Sequence, residues 1–220
     1  MYGYWGRALH IDLGDGSRWE EEISAPVLRS VVGGVGLGTY LLYRHCPPSA
    51  DPLGPENPLI FATSPFVGTA ITTSAKYAVL AKSPLTGFIG DSLSGSHLAV
   101  ELKRTGYDAL VLHGACPDWQ TLRIVDGAVE LHPADHLLGL ETWPTETAVH
   151  KQLGPGRVAV IGPAGERLVR FATISNDGRS IQACRASNPS SAEPGKVATI
   201  RGGSSPHFSA TASTKSLATM

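Results

Sequence analysis

The sequence predicts an α+β fold of two duplicated, sheet-rich lobes that share one core, and three observations carry that prediction. The order hairpin, helix, strand, strand occurs twice along the chain. A strand, a small-residue stretch, a helix and another strand join the two copies. The run GGVGLG at Gly33–Gly38 follows a hairpin and enters a helical stretch, whereas a dinucleotide-binding Rossmann unit places its glycines between a strand and a helix start. Close backbone packing is the reading that suits these glycines.

The elements run in chain order. RALHIDLGDGSRWEEEI, from Arg7, alternates Leu9, Ile11 and Leu13 with polar residues and turns at GDG, the pattern of a hairpin with one buried face. A helix is expected from about Pro26 to His45, with Leu37, Leu41 and Leu42 on one side. PLIFATSP and KYAVLAKSP then read as paired strands. In the second copy, TLRIVDGAVELHP turns at Asp126-Gly127, a helix runs from about Thr142 to Leu153 and stops at Gly154, and RVAVIGPAG and RLVRFATIS are the paired strands. IGPAGE, from Ile161, lacks the Lys-Ser/Thr ending of a P-loop and reads as a turn.

The joining stretch, Lys82–Gly114, reads KSPLTGFIGDSLSGSHLAVELKRTGYDALVLHG. Pro84 stops the preceding strand. HLAVELKRTG places Leu98, Val100 and Leu102 in a helical register and ends at Gly106, a natural left-handed cap, and YDALVLHG has the composition of a buried strand. Between them, Ser92, Ser94 and Ser96 are natural N-caps, and Gly95 lets another group approach the backbone. A helix start with free N–H groups and no bulky side chains suits an anion, phosphate above all. A tight turn packed for its own sake fits the same residues.

Composition narrows the class. A chain of 220 residues with a formal net charge of -1, 42% hydrophobic and 17% charged residues is ordinary for a globular protein and offers no basic stripe for nucleic acid or a membrane surface. No signal peptide is recognisable, and no apolar run approaches the roughly 20 residues that span a bilayer, so a cytoplasmic location is expected. Cys46, Cys116 and Cys184 lie far apart with no C-x-x-C pair, which argues against an iron–sulfur or structural zinc site. His132 and His136 are separated by Pro133, which breaks any helix that would align them, and are expected at the surface. Spacing reveals no Ser-His-Asp set, no paired catalytic carboxylates and no metal cluster, so no catalytic residue and no metal ligand is assigned.

Six separated stretches carry a resemblance. MYGYWGRALHIDL, VGGVGLGTYLL, DPLGPENPLIFATSPFVGT, KYAVLAKSPLTGFIGDSLSG, ELKRTGYDALVLHG and VIGPAGERLVRFATISNDGR resemble, in this order, the N-terminal domain of the aldehyde ferredoxin oxidoreductases, tungsten enzymes with a bis-pterin cofactor of the molybdopterin type. The resemblance covers about residues 1–179 and implies a sheet-rich base on which the two pterins lie. By position it puts Leu93 and Gly95 on the cofactor-contacting loop and Lys76 where many members have Arg. A cation and bare N–H groups suit pterin phosphates, which also chelate magnesium. Lys76 supplies a point charge in place of a bidentate fork, and Leu93 stands where a relative can have Asn, so a side-chain contact is lost there.

The residues after NDGR depart from the family pattern of a Gly/Arg-rich pterin loop and a Gly-Ser-Lys segment. About half of residues 180–220 are Ser, Ala or Thr, so this stretch is expected to be a disordered tail or the product of a frameshift. The resemblance further implies oxidation of aldehydes to carboxylic acids, with electrons passed through a 4Fe-4S cluster to ferredoxin. The cluster's cysteines and the acid/base residues belong to later domains, so the chain alone is expected to be inactive. Its expected partners are those domains or a partner chain, ferredoxin, and a second copy in a homo-oligomer. A scaffold subunit of a split enzyme and a degenerate fragment are the alternative readings.

Overall fold

Alternating apolar residues set the first hairpin, β1 (Arg7–Asp12) and β2 (Arg18–Glu22), which pair antiparallel from Arg7↔Glu22 to Ile11↔Arg18. A computed structural model describes residues 3–125, 127–178, 180–182 and 196–201. After the hairpin come α1 (Ala25–Val31), α2 (Val35–His45), β3 (Leu59–Thr63), β4 (Lys76–Lys82), β5 (Ile89–Gly95), α3 (His97–Arg104) and β6 (Ala109–His113). The strands form one sheet in the order β2-β1-β6-β3-β4-β5. Its last strand in the chain, β6, inserts between β1, to which it is parallel, and β3, to which it is antiparallel.

The second copy repeats this plan. It comprises β7 (Gln120–Val125), β8 (Ala128–Pro133), a 3-10 turn at Asp135–Leu137, α4 (Thr142–Leu153), β9 (Arg157–Ile161), α5 (Pro163–Glu166), β10 (Ile174–Asn176), β11 (Ser180–Gln182) and β12 (Lys196–Arg201). The sheet order is β11-β10-β9-β12-β7-β8, with β12 parallel to β7 and antiparallel to β9. Adding six to each strand number of the first sheet therefore gives the second. The duplication seen in the sequence as four elements extends to all six strands.

The two sheets share the expected core. Leu9, Ile11, Phe61, Tyr77 and Val79 from the first meet Leu122, Ile124, Ala159 and Ile174 from the second, with Leu98 and Leu102 of α3 in the same cluster. Strand alternation sends the other set of side chains outward: Ala8, Ile60, Ala78, Leu80 and Val111 pack under Leu28, Leu37 and Leu41 of α1 and α2. Val158 and Val160 of the second sheet pack with Val149 of α4. The layers thus run helices, sheet, shared core with α3, sheet, helix. Among the described residues no single helix is long and apolar enough to cross a membrane.

Several local expectations change. The helix expected over Pro26–His45 is two helices bent by 119°, because Val32, Gly33 and Gly34 all take positive φ. RLVRFATIS is a strand only from Ile174; before it, Pro163–Glu166 forms a helical turn in place of a plain turn, and Leu168 takes φ 55°. The stretch expected as a small-residue loop is largely β5, paired with β4 from Lys82↔Ile89 to Lys76↔Gly95. Hydrogen bonding along a whole neighbouring strand outweighs the weak strand preference of Gly and Ser. In 180–220, where a disordered tail is expected, Ser180–Gln182 and Lys196–Arg201 are strands supplied with partners by β10, β7 and β9. The rest of that stretch, Cys184 included, lies outside the described residues.

Candidate functional site

The residues expected to face a cofactor lie on one edge of the first sheet. Lys76 pairs with Gly95 and Leu93 with Ala78 across β4 and β5, and directly opposed residues share a face, so Lys76, Leu93 and Gly95 lie on the helix-bearing side. The helices cover Ala78, which is fully buried, but leave Leu93 60% exposed. Lys76 and Gly95 are exposed as well. Asp91, two positions before Leu93 on the same strand, is exposed on this face too, so the lysine is not its sole charge. A Cβ built on Gly95 would meet nothing nearer than the Ala75 carbonyl oxygen at 3.8 Å and the Lys76 Cγ at 3.9 Å. Both are ordinary contact distances, so packing within the chain does not demand glycine there.

The serines divide between two tasks. Ser96 alone caps α3: its Oγ accepts from the Leu98 N–H at 3.1 Å, and its carbonyl accepts from the Ala99 N–H at 3.2 Å. Two of the N–H groups expected to be bare are thus already used, which weakens a purely helix-terminal anion site. Ser94 points the other way, is 6% exposed, and accepts from Asn176 Nδ2 at 3.0 Å. Asn176 is fully buried and its Oδ1 has no hydrogen-bond partner. It belongs to the SNDGR run of the second copy, so the edge is braced from behind by the other lobe.

The glycine run is accounted for by packing. A Cβ on Gly36 would sit 2.2 Å from the Val31 carbonyl oxygen, and one on Gly38 would sit 2.0 Å from Leu80 Cδ1, so these glycines let α2 lie against the turn before it and against β4. Cys116 is buried with its Sγ 2.9 Å from the Leu13 carbonyl oxygen, and Cys46 is partly buried. His136 is exposed, and His132 is partly exposed beside Glu130, with 3.1 Å between Nε2 and Oε2.

The fold also gathers three histidines that no sequence spacing joins. His10 of β1, His45 at the end of α2 and His113 at the end of β6 each offer a ring nitrogen, all within 4.8 Å of one another. His10 Nδ1 lies 2.9 Å from His113 Nε2, and His45 Nε2 lies 2.6 Å from Glu21 Oε2. Trp19 stacks on His10 and His113 with centroids 5.0 and 5.2 Å away. Burial, followed by the neighbouring His45 and His113, pushes His10 down to about 4, and burial followed by His45 lowers His113. Only the tertiary fold could have revealed the group, since its members come from a first strand, a helix end and a last strand.

Comparison with known proteins places this architecture. The family model described as aldehyde ferredoxin oxidoreductase, N-terminal domain, matches residues 8–187. The tungsten-containing aldehyde ferredoxin oxidoreductase of Pyrococcus furiosus is 42% identical over 180 residues, and that of Thermococcus kodakarensis is 44% identical over 180 residues. In both cases the match covers 81% of this chain but 30% of the relative, so the chain spans under a third of those proteins' length. Among solved structures, the active site complex BamBC of benzoyl coenzyme A reductase with 1,5-dienoyl-CoA superposes with a TM-score of 0.86 at 33% identity, over 92% of this chain and 31% of that one. With its duplicated sheets and a family match over most of its length, the chain belongs to the aldehyde ferredoxin oxidoreductase family and carries that family's N-terminal domain.

Proposed function

We propose that this domain bears a tungsten bis-pterin group on the exposed edge formed by β4 and β5, as one part of an enzyme that oxidises aldehydes to carboxylic acids. The observation that supports the reading is the edge itself: an exposed cation, an exposed leucine and an exposed glycine share one face of a strand pair that the other lobe holds in place. Such a set fits a flat, anionic ligand. Lys76 would offset a pterin phosphate as a point charge, Leu93 would cover an apolar part of the ring system, and Gly95 would let the ligand reach the backbone. The buried Asn176 would keep β5 in register through Ser94. Magnesium is the cation that phosphates on this face would share.

When bound, the group supplies two-electron oxidation at tungsten; this chain's residues only hold and orient it. Electrons would leave through a 4Fe-4S cluster to ferredoxin. The cluster's cysteines are not provided by the widely spaced Cys46, Cys116 and Cys184, so they belong to further domains or to a partner chain. The domain by itself would then lack turnover, and the cytoplasm is the compartment that suits ferredoxin-linked chemistry.

The test is an NMR titration of the 220-residue chain with a pterin phosphate, with magnesium present. The expected result is a set of shifts confined to the amides near Lys76 and Leu93 to Ser96, weakened several-fold in Lys76→Ala. No shift at millimolar ligand, or shifts elsewhere, would reject the edge as the cofactor face.

A further inference from the structure

The histidine group lies on the first sheet beside β1, β2 and β6, and the proposed cofactor edge is the opposite end of that sheet, at β5. We propose that His10, His45 and His113, with Glu21 as a fourth ligand, bind a divalent d-block metal ion, zinc being the best match. The inference is independent of the cofactor reading.

The donor set is the first reason. Three imidazoles and one carboxylate suit zinc and its first-row neighbours far better than magnesium or calcium, which prefer all-oxygen shells. The second reason is placement. His10 is fully buried, and its Nε2 makes no well-aligned hydrogen bond but lies 3.1 Å from Glu21 Oε2, so a buried imidazole nitrogen and a carboxylate oxygen face each other. His113 Nε2 and His45 Nε2 approach from β6 and α2. A tetrahedral zinc with Zn–N near 2.0–2.1 Å holds its ligand atoms about 3.3 Å apart, so changes of ring rotamer bring a 4.8 Å group to that spacing.

The surroundings of the ligands agree with a closed, structural site. Arg44 Nε lies 3.2 Å from Glu21 Oε1, which orients the carboxylate and leaves Oε2 turned toward the histidines. Trp19, 43% exposed, lies over two of the rings and limits water. Four ligands on β1, β2, β6 and the end of α2 leave no open position for substrate. The ion would tie the C-terminal end of α2 to the sheet.

Cobalt(II) reports the geometry, since four-coordinate cobalt absorbs strongly in the visible. The full chain is stripped with a chelator and titrated with cobalt, then with zinc as competitor. One cobalt per chain, four-coordinate absorption and displacement by zinc are expected. His45→Gln and His113→Gln should each weaken binding by more than the roughly 10–100-fold typical of losing an outer-shell partner, while His132→Gln, on β8, should leave it unchanged. Absent absorption, or binding indifferent to both ligand substitutions, would overturn the site and leave the histidines as a hydrogen-bonded stack. Should the variants not fold, ring-nitrogen NMR of the unsubstituted chain decides: zinc must shift the nitrogens of His10, His45 and His113 and spare those of His132.

Discussion

Lys103 Nζ donates to Asp108 Oδ1 inside the protein, with 7% and 1% of the two side chains exposed. Asp108 does more than neutralise a charge. Its Oδ2 accepts from the Gly6 N–H at 2.7 Å, its carbonyl accepts from the Thr63 N–H and hydroxyl at 2.9 and 3.0 Å, and its N–H donates to the Arg7 carbonyl. The pair thus joins the end of α3 to the starts of β1 and β6 and to the end of β3. Asp108→Asn should cost about 3–5 kcal/mol in urea unfolding, because the lysine is left buried without its counter-charge. Removing the charge as well, in Lys103→Met/Asp108→Asn, should restore much of that loss while the Asn still accepts from the Gly6 N–H, and a double variant as unstable as the single would refute the argument.

The shared core makes a second prediction. Leu102 is 1% exposed and lies in the cluster that both sheets line. Leu102→Ala should destabilise by about 2–5 kcal/mol, with both lobes melting together. Separate transitions followed by fluorescence in variants that keep only Trp19 of the first copy or only Trp143 of the second, among the four tryptophans, would show instead that the lobes are independent.

Packing explains Gly36 without a ligand. Gly36→Ala places a methyl 2.2 Å from the Val31 carbonyl oxygen, so the bend between α1 and α2 must open, at a cost of about 1–3 kcal/mol. Thermal unfolding gives the check. A variant as stable as the parent chain would reopen a ligand role for the glycine run.

Acid should act through Glu20. The Tyr107 hydroxyl donates to Glu20 Oε1 at 2.6 Å, and this bond, followed by the Arg7 guanidinium, lowers the carboxyl below its ordinary value of 4.5. Folding therefore favours the ionised form: the contribution is complete above about pH 4.5 and is lost as pH falls through the lower folded-state value. Tyr107→Phe should flatten this part of the stability curve, measured as melting temperature from about pH 7 to about pH 3. Parallel curves for the two proteins would assign the acid response elsewhere.

The sequence by itself determined the local elements and their repetition. Leu9, Ile11 and Leu13 announce β1, Gly154 ends α4 at φ 82°, and Gly106 comes after α3 at φ 92°, because period, turn chemistry and capping are written in neighbouring residues. The family resemblance grouped Lys76, Leu93 and Gly95 by position, and the β4–β5 ladder is what sets them side by side. Only the tertiary structure decided the features that depend on distant chain segments. Gly and Ser of β5 became strand because β4 offers a full ladder, and β6 and β12 entered the middle of their sheets through parallel pairing that leaves no local mark. Likewise, Asn176 reached Ser94 because the two copies fold onto a common core, and His10, His45 and His113 met because β6 returns to pair beside β1 within the first sheet and α2 ends next to them.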